Sequence, residues 1–483
     1  MNRQIRRLGI VLALLFLALF VNLNYLQVVK ADKLQHDPRN GRIAFNSFTK
    51  PRGQILAADG TVLARSVPVD DQFKFLRQYP TGPLFGQITG FFSFTYGSDG
   101  VERQYNDDLT AHRPTKLTNI RQLITAGDRT SNVTLTLSPK VQQTAATALG
   151  NRKGAVVALD PRNGAILAMW SFPTYDPNAL AGHDSQAVRS AYEQLSKDPN
   201  NPMLSRAYRE RYPPGSTFKV ITASAVLDHM PELATKVYPQ LTALPLPQTA
   251  GQQLANFGGE RCGGVLPDLL RISCNTGFAQ IGLDLGAAAL SAEAQAYGFN
   301  AKPAIDMPNP AVSVFPPAAA FAHDLPGLAK SAIGQQDVQA VPLEMGLVAS
   351  AIANSGVIMK PHVLGEIRDD QGNVVQTAKA DPWMTPTSPQ TAATIRDMMI
   401  GVVNSGTATT VQIPGVQVAA KTGTAQTTGN HAHAWMIAFA PASAPTVAVA
   451  VIVESQDGVG DNATGGRVAG PIAKAVLQAA LAP

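Results

Sequence analysis

The sequence is poor in charge and in cysteine. Asp, Glu, Lys and Arg make up 15% of its 483 residues, against about 25% in an average globular protein. Lys plus Arg outnumber Asp plus Glu by only 39 to 34. This excess is too thin for a basic binding surface, so we expect no nucleic-acid partner. Two cysteines exclude a cysteine-rich zinc site and a scaffold built on several disulfides.

Long apolar runs are also scarce, and the one present lies at the N-terminus. Arg3, Arg6 and Arg7 precede an uninterrupted apolar run over residues 8–21, which continues more weakly to residue 29. Such a run predicts an uncleaved membrane anchor over residues 1–30, rather than a cleaved signal peptide or a buried helix. Because basic residues stay in the cytoplasm, we expect a single-pass protein of the cell membrane whose remainder is extracytoplasmic.

The composition and the periodicity of the sequence change near residue 135. Residues 31–135 are polar, rich in turn residues and weakly periodic, which predicts a small, mostly extended domain. Residues 133–137 then alternate like a strand, and residues 138–149 have the pattern of a capped helix. We therefore predict a second domain over residues 136–483.

The second predicted domain has strands at both ends and helices between them. Residues 179–401 are rich in Ala, Leu and Pro and predict a helical lobe, and a terminal helix is expected over residues 469–481. Strand-like runs occupy residues 155–159, 165–170, 416–420, 435–439 and 447–453. The first two are joined by a turn containing Asn163-Gly164, which favours a hairpin. The pattern predicts a multi-domain α+β protein with an antiparallel sheet packed against a helical lobe.

The first pattern that suggests chemistry is Ser216-Thr217-Phe218-Lys219, which follows two prolines and a glycine and opens an apolar run. Serine and lysine three residues apart share one face of a helix. A buried lysine loses its charge more easily and can then accept the serine proton. Taken alone, the motif is more typical of a helix-capping serine beside a surface lysine. A second copy over residues 47–50 lacks the apolar helix and is interpreted as a solvated loop.

Two further triplets favour a catalytic role for Ser216 and Lys219 over helix capping. Ser273-Cys274-Asn275 is the one Ser-x-Asn in the chain, and Lys421-Thr422-Gly423 is the one Lys-Thr-Gly, placed at the end of the predicted 416–420 strand. In this order, the three motifs are the set found in penicillin-binding proteins and class A β-lactamases.

Acyl transfer requires a nucleophile, a base, a proton path, an oxyanion hole and a site for the substrate carboxylate. Ser216 is the candidate nucleophile and Lys219 the candidate base, and the backbone N–H groups of Ser216 and Thr424 are the candidate oxyanion hole. The remaining candidates are Ser273 for proton relay, Asn275 for the substrate amide, Lys421, Thr422 and Thr424 for the carboxylate, and Gly423 for close approach of the strand to the substrate.

With these motifs joined, the chain resembles the class B penicillin-binding proteins, in particular the penicillin-binding protein A type of actinobacteria. The resemblance extends to residues 51–55, 100–102, 154–170, 175–178 and 433–435. It implies a D,D-transpeptidase that cross-links peptidoglycan stem peptides ending in D-Ala-D-Ala, is acylated by β-lactams and uses no cofactor. Glycosyltransferase motifs are absent, so a separate glycosyltransferase and division or elongation proteins are the implied partners.

Cysteine and histidine pairs leave two smaller questions. Cys274 occupies the middle of the Ser-x-Asn triplet, and with Cys262 in an oxidising compartment it forms either a disulfide or a pair of buried free thiols. His431 and His433 alternate along a predicted strand, but no third ligand is apparent, so no metal site is predicted.

Two rival functions remain for the same motifs. A β-lactamase needs a general base for deacylation, and no Glu-x-x-x-Asn follows Ser273 at a suitable spacing, which favours a long-lived acyl-enzyme. A division-complex scaffold with a dispensable serine would use the 31–135 domain to dock its partners.

Overall fold

The computed structural model describes residues 2–30, 45, 47–110, 130–426, 432–455 and 464–482. Helix α1 (Asn2–Asn24) continues into a π-helical turn, Tyr25–Val29, and its apolar side chains are exposed. In this described part of the chain, Arg3–Val29 is the one segment long and apolar enough to cross a membrane. It coincides with the predicted anchor.

Between residues 47 and 135, the described part of the chain folds into short strands and short helices, as its turn-rich sequence predicts. Its strands are β1 (Ile55–Leu56), β2 (Val62–Pro68), β3 (Phe75–Gln78), β4 (Phe92–Ser93), β5 (Gly97–Ser98) and β6 (Asn132–Leu135). Its helices are α2 (Gly86–Thr89), α3 (Gly100–Gln104) and α4 (Asn106–Leu109). Strand β1 pairs antiparallel with β2 and parallel with β6.

The main sheet lies in the rest of the chain, in the order β17-β18-β19-β7-β8, with every pair antiparallel. The strands of this region are β7 (Gly154–Leu159), β8 (Ile166–Phe172), β9 (Tyr238–Leu241), β10 (Ala243–Pro245), β11 (Gln253–Ala255), β12 (Cys262–Gly264), β13 (Ile358–Met359), β14 (Leu364–Arg368), β15 (Val374–Thr377), β16 (Pro382–Met384), β17 (Ala419–Gln426), β18 (Ala432–Ala440) and β19 (Val447–Val453). The predicted β7–β8 hairpin is confirmed, with Val157 opposite Met169.

Helices cover the sheet and form the lobe beside it. They are α5 (Pro139–Leu149), α6 (Asn178–Ala181), α7 (Ser185–Lys197), α8 (Arg206–Arg209), α9 (Lys219–His229), α10 (Leu266–Arg271), α11 (Asn275–Ala296), α12 (Leu325–Ser331), α13 (Pro342–Ala353), α14 (Pro389–Ser405) and α15 (Gly470–Leu481). Helices α13 and α15 pack on β19, while α9 packs on α11 in the helical lobe. The predicted combination of an antiparallel sheet and a helical lobe is confirmed.

Two features differ from the sequence-based prediction. Strands β14 and β15 come from the segment predicted as helical, yet they extend the N-terminal sheet, with β14 antiparallel to β6. Phe48, in the second Ser-x-x-Lys copy, is buried and stacks on Phe92 with 4.4 Å between ring centroids. The interpretation of that copy as a solvated loop is therefore wrong, because its aromatic side chain joins a cluster with Phe73 and Phe94.

Candidate active site

Ser216 lies in a tight 3₁₀ turn, Gly215–Phe218, that continues directly into α9. Gly215 has a φ of +53° and donates its N–H to the carbonyl of Gly334 at 2.9 Å. A Cβ atom at this glycine would lie 2.8 Å from the Thr424 carbonyl oxygen. The nucleophile turn and strand β17 therefore run side by side, which brings Ser216 and Thr424 to one cleft.

The loop before Ser216 is held by the end of the main sheet. The indole Nε1 of Trp435, on β18, donates to the Pro213 carbonyl at 2.9 Å. The Tyr212 hydroxyl donates to Glu454 at 2.7 Å, and Glu454 also pairs with Arg206 on α8. These contacts fix the backbone immediately before the nucleophile.

Lys219 begins helix α9 and is completely buried. Its Nζ donates to the Ser273 carbonyl and to Asn275 Oδ1, both at 2.7 Å, and lies 3.4 Å from Ser273 Oγ. Burial lowers the pKa of Lys219 well below its ordinary value, and the charge of Lys421 lowers it further. The side chain is therefore poised to act as a neutral base.

Lys421 is the second buried lysine, on strand β17. Its Nζ donates to Ser273 Oγ at 2.8 Å and to the Thr422 carbonyl at 2.9 Å. Burial lowers the pKa of Lys421 to about 7. The Ser273 hydroxyl thus lies between two lysine amines, and no carboxylate pairs with either amine within the described residues.

The Ser-x-Asn triplet forms a turn between α10 and α11. Ser273 has a φ of +60°, in the left-handed region that non-glycine residues seldom adopt. Asn275 begins α11 and donates its Nδ2 to the Ala255 carbonyl at 3.2 Å. Between them, Cys274 is joined to Cys262 by a disulfide. Of the two states that the sequence left open, the structure has the bonded one.

Lys-Thr-Gly lies within β17, an edge strand of the main sheet. The expectation that this triplet follows a 416–420 strand is wrong: Ile413 and Val416 bridge across a turn at Gly415, so the strand starts at Ala419. A Cβ atom at Gly423 would lie 2.9 Å from the Pro214 carbonyl, Thr217 and Trp435. The glycine is thus required by the protein's own packing, in addition to any approach of substrate.

A cleft of about 970 Å³ opens over these groups. Five of the predicted catalytic and substrate-binding residues line it: Ser216, Ser273, Asn275, Thr422 and Thr424. The two lysines and Gly423 lie in the wall behind. The structure therefore brings together all the residues that the three motifs predict.

Sequence reasoning missed several residues of the cleft. Thr407 shares a 2.6 Å hydrogen bond between hydroxyls with Thr422, and Arg467 and Lys330 also line the cleft. Thr407, Arg467 and Lys330 belong to no recognisable triplet and reach the cleft from distant segments, so only the tertiary fold identifies them. Outside the cleft lining, Trp435 was noted on its strand, but its contact with Pro213 was not foreseen.

The histidine pair was predicted to hold no metal. His433 Nδ1 accepts a hydrogen bond from the Ser455 N–H at 3.0 Å, and His431 lies outside the described residues. Within the ranges that the structure describes, no group of three His, Cys, Asp or Glu residues is arranged to bind a metal ion.

Comparison with known proteins identifies the family. Residues 154–478 match the penicillin-binding protein transpeptidase domain, and residues 52–133 match the penicillin-binding protein A dimerisation domain. The chain belongs to the penicillin-binding protein transpeptidases. It is 41% identical to the peptidoglycan D,D-transpeptidase PbpA of Mycolicibacterium smegmatis, over 100% of this chain and 99% of the relative.

Solved structures of this family have the same fold. Penicillin-binding protein A of M. tuberculosis, in its ceftriaxone acyl-enzyme complex, superposes with a TM-score of 0.82 at 38% identity, covering 91% of this chain and 100% of that one. PBP2 of Pseudomonas aeruginosa gives a TM-score of 0.73 at 27% identity, covering 89% and 96%. The predicted family resemblance is confirmed.

Proposed function

We propose that this chain is a peptidoglycan D,D-transpeptidase that works through an acyl-enzyme at Ser216. The observation that carries the proposal is Lys219, completely buried one helical turn from Ser216 and with a lowered pKa. Burying an amine that has no carboxylate partner among the described residues costs desolvation energy that an apolar side chain would avoid, and this amine instead contacts Ser273 and Asn275 of the second motif. Full-length similarity to D,D-transpeptidases supports the same activity.

The first step needs one rearrangement of hydrogen bonds. Among the described residues, the Ser216 hydroxyl makes no hydrogen bond, while Lys219 Nζ is engaged with Ser273 and Asn275. We infer that bound substrate makes Nζ exchange one of these acceptors for Ser216 Oγ, since catalytic hydrogen bonds often tighten only in the complex. Lys219 then takes the hydroxyl proton as Ser216 attacks the carbonyl carbon of the penultimate D-Ala.

The developing oxyanion is placed between the N–H groups of Ser216 and Thr424, where each donor contributes about 3 kcal/mol in comparable enzymes. As the C–N bond breaks, the terminal D-Ala amine needs a proton. Ser273 Oγ, hydrogen-bonded to both lysine amines, is the group that relays it. The amine of a second stem peptide then attacks the ester, which forms the cross-link and frees Ser216.

The substrate's terminal carboxylate is assigned to the β17 side of the cleft. Thr422 and Thr424 present hydroxyls there, and Lys421 supplies positive charge when protonated. Asn275 is assigned to the substrate amide. Thr407 orients Thr422 through the hydrogen bond between their hydroxyls.

The cleft favours transfer to an amine over hydrolysis. In the described part of the chain, Glu260 is the one carboxylate that lines the cleft, and it is exposed. A β-lactamase needs a positioned base to activate water, so a β-lactam should leave a long-lived acyl-enzyme on Ser216.

The organisation of the chain around this activity is also part of the proposal. Residues 1–30 anchor the protein with its N-terminus in the cytoplasm, residues 31–135 form a pedestal, and residues 136–483 form the extracytoplasmic transpeptidase domain. Strands β14 and β15 belong to the same six-stranded sheet as β6 and β1. Because strands from both proposed domains share this sheet, it supports a fixed orientation of one domain relative to the other. A separate glycosyltransferase and division or elongation proteins are the expected partners.

The direct test is intact-protein mass spectrometry of the full chain in detergent micelles with benzylpenicillin. One adduct that persists for hours in wild type and in Ser47→Ala, and is lost in Ser216→Ala, is expected; Ser47 is the matched control from the second Ser-x-x-Lys. An adduct that survives in Ser216→Ala would refute the assignment, rapid turnover would indicate a β-lactamase, and no adduct would favour the scaffold.

A further inference from the structure

We propose that Lys330 is a specificity-determining residue that binds a free carboxylate on the acyl side of the donor. The substrate class that it selects is a stem peptide with a second carboxylate, on the residue before D-Ala-D-Ala, besides the one at its C-terminus. A β-lactam whose side chain carries a carboxylate has the same feature. This inference rests on the proposed function, because it concerns the acyl group that Ser216 receives.

The proposed function fixes the direction in which the donor crosses the cleft. Thr422, Thr424 and Gln426 alternate along β17 and line the cleft, and at ~3.3 Å per residue they span about 13 Å. The terminal carboxylate is assigned to Thr422, and the scissile carbonyl to the N–H groups of Ser216 and Thr424. The acyl side of the donor must therefore continue from Thr424 towards Gln426.

The segment that carries Lys330 flanks this acyl side. Gly215 lies between it and β17: the Gly215 N–H donates to the Gly334 carbonyl at 2.9 Å, and a Cβ atom at Gly215 would lie 3.1 Å from Ala425 Cβ. Lys330 is in the last turn of α12, and its carbonyl accepts the Gln335 N–H at 3.1 Å. These bonds fix the backbone of Lys330 relative to the nucleophile turn.

The charge of Lys330 has no partner among the described residues. Its side chain is partly buried and lines the cleft, but its amine makes no hydrogen bond or ion pair with them. Gln335, Gln336 and Gln426 line the same cleft and are neutral carboxamides, and Glu260, the one described carboxylate of the lining, does not pair with the amine. A cation that faces a cleft without a counter-ion attracts an anionic ligand.

Arg467 is the corresponding cation at the other end of the cleft. It follows Gly466, whose carbonyl accepts the Thr410 hydroxyl at 2.6 Å, and a Cβ atom at Gly466 would lie 2.5 Å from the Thr407 carbonyl oxygen. Thr407 is hydrogen-bonded to Thr422, so Arg467 lies on the side of the terminal carboxylate. Each end of the cleft therefore presents a cation to one carboxylate of such a donor.

The test uses benzylpenicillin and carbenicillin, which differ only by a carboxylate on the side-chain carbon next to the phenyl ring. Intact-protein mass spectrometry of the full chain in detergent micelles gives the second-order acylation rate constant for each. In Lys330→Met, the ratio of carbenicillin to benzylpenicillin should fall about tenfold, the lower end of the range for a hydrogen bond to a charged group. In Lys330→Arg, which keeps the charge, the ratio should stay within about twofold of wild type. Misfolded protein cancels in the ratio, because both penicillins are measured on one preparation.

The matched control is Arg467→Met, which should lower both rate constants by the same factor, since the carboxylate at that end is common to both penicillins. An unchanged ratio in Lys330→Met would overturn the proposal. Equal losses with both penicillins would also overturn it, because they would show a structural role, such as the interaction of a last-turn lysine with the helix dipole. An Arg467→Met ratio that falls as far as that of Lys330→Met would contradict the assignment of the two ends. Wild-type protein that forms no adduct with either penicillin would instead refute the proposed function.

Discussion

Glu102 and Lys219 are both completely buried. Glu102 is surrounded by groups of opposite charge, whereas Lys219 lies near a group of like charge. Glu102, in the N-terminal region, lies between two arginines, with Oε2 2.6 Å from Arg52 Nε and Oε1 2.6 Å from Arg77 Nε. Lys219, in the cleft, faces a second lysine. One region buries a carboxylate between two arginines that stabilise its charge, and the other buries two amines that have no carboxylate partner among the described residues.

The electrostatics of the two regions follow from this difference. Burial raises the pKa of Glu102, but the charges of Arg77 and Arg52 and their hydrogen bonds outweigh it, and the net pKa is lowered. Nothing opposes burial at Lys219 and Lys421, so both amines tend to lose their protons. The charge pairs of the first cluster stabilise the fold, whereas buried amines without a carboxylate partner can provide a base at neutral pH.

The largest expected effect is that of Lys219→Met, which should change the acylation rate far more than the stability. General bases contribute about 10²- to 10⁴-fold, so we expect the acylation rate to fall by at least about a hundredfold. The free energy of unfolding should change little, because relief of the buried amine's desolvation offsets the loss of its hydrogen bonds to Ser273 and Asn275. Penicillin acylation kinetics and urea unfolding measure the two quantities.

The matched control is Lys236→Met, since Lys236 is half-exposed and pairs with Asp284 on the surface. Its acylation rate should equal that of wild type. A Lys219→Met protein that acylates normally would remove the basis for the distinction between the two clusters.

Glu102→Gln should have the reverse effect: it should lower the stability and leave the acylation rate unchanged. Breaking a buried ion pair leaves an uncompensated charge and costs about 3–5 kcal/mol of unfolding free energy, here with two arginines left facing each other. The acylation rate per folded molecule should stay unchanged, since Glu102 does not line the cleft. Urea unfolding with parallel penicillin titration tests both parts.

Glu366→Gln is the control for that change, because Glu366 pairs with Arg368 near the surface. It should alter stability by less than about 1 kcal/mol. Equal effects of the two substitutions would show that burial of the Glu102 cluster contributes nothing.

The pH dependence of stability should differ between wild type and Lys421→Met. Lys421 has a folded pKa of about 7 and an unfolded pKa near 10.4, so between these values the folded chain binds fewer protons than the unfolded chain. The wild-type unfolding free energy should therefore rise relative to the variant by about 1.4 kcal/mol per pH unit between about pH 7 and pH 10. Below pH 7 the full cost of burying the charge is already present, and the difference should level off. Parallel curves across this range would show that Lys421 keeps its charge when folded.

The smallest expected effect is that of Trp435→Phe. A six-membered aromatic ring is retained, but the Nε1 hydrogen bond to Pro213 and part of the packing of the buried indole are lost. One hydrogen bond contributes about 1 kcal/mol and the cavity adds to this loss, so stability should fall by at least about 1 kcal/mol and acylation by less than about tenfold. A hundredfold loss of acylation at unchanged stability would show that Trp435 takes part in the reaction and does not only support the loop.

The sequence was sufficient to predict the residues of the three motifs because each motif is local. Ser216 and Lys219 are one helical turn apart, and the apolar run after them predicts their burial. The β7–β8 hairpin was equally predictable from its Asn-Gly turn. What brought the three motifs together was the resemblance to a family, since no local rule places residue 421 beside residue 273.

What the sequence did not reveal depends on interactions between distant segments. Gly423 is crowded by Pro214 and Trp435, a constraint that exists only once β17 and the nucleophile turn are side by side. The start of β17 depends on a turn at Gly415, and β14 is a strand because β6 offers it an edge. Phe48 is buried because an aromatic cluster from later in the chain surrounds it.

The most direct test of the account is the pH profile of the acylation rate constant of Ser216 with benzylpenicillin in wild-type protein. If Lys219 is a neutral base beside Lys421, the rate should reach its plateau well below the ordinary range for lysine and fall tenfold per pH unit below the apparent pKa. A rate that keeps rising up to about pH 10, the ordinary range for lysine, would contradict the claim that burial has made this amine a base.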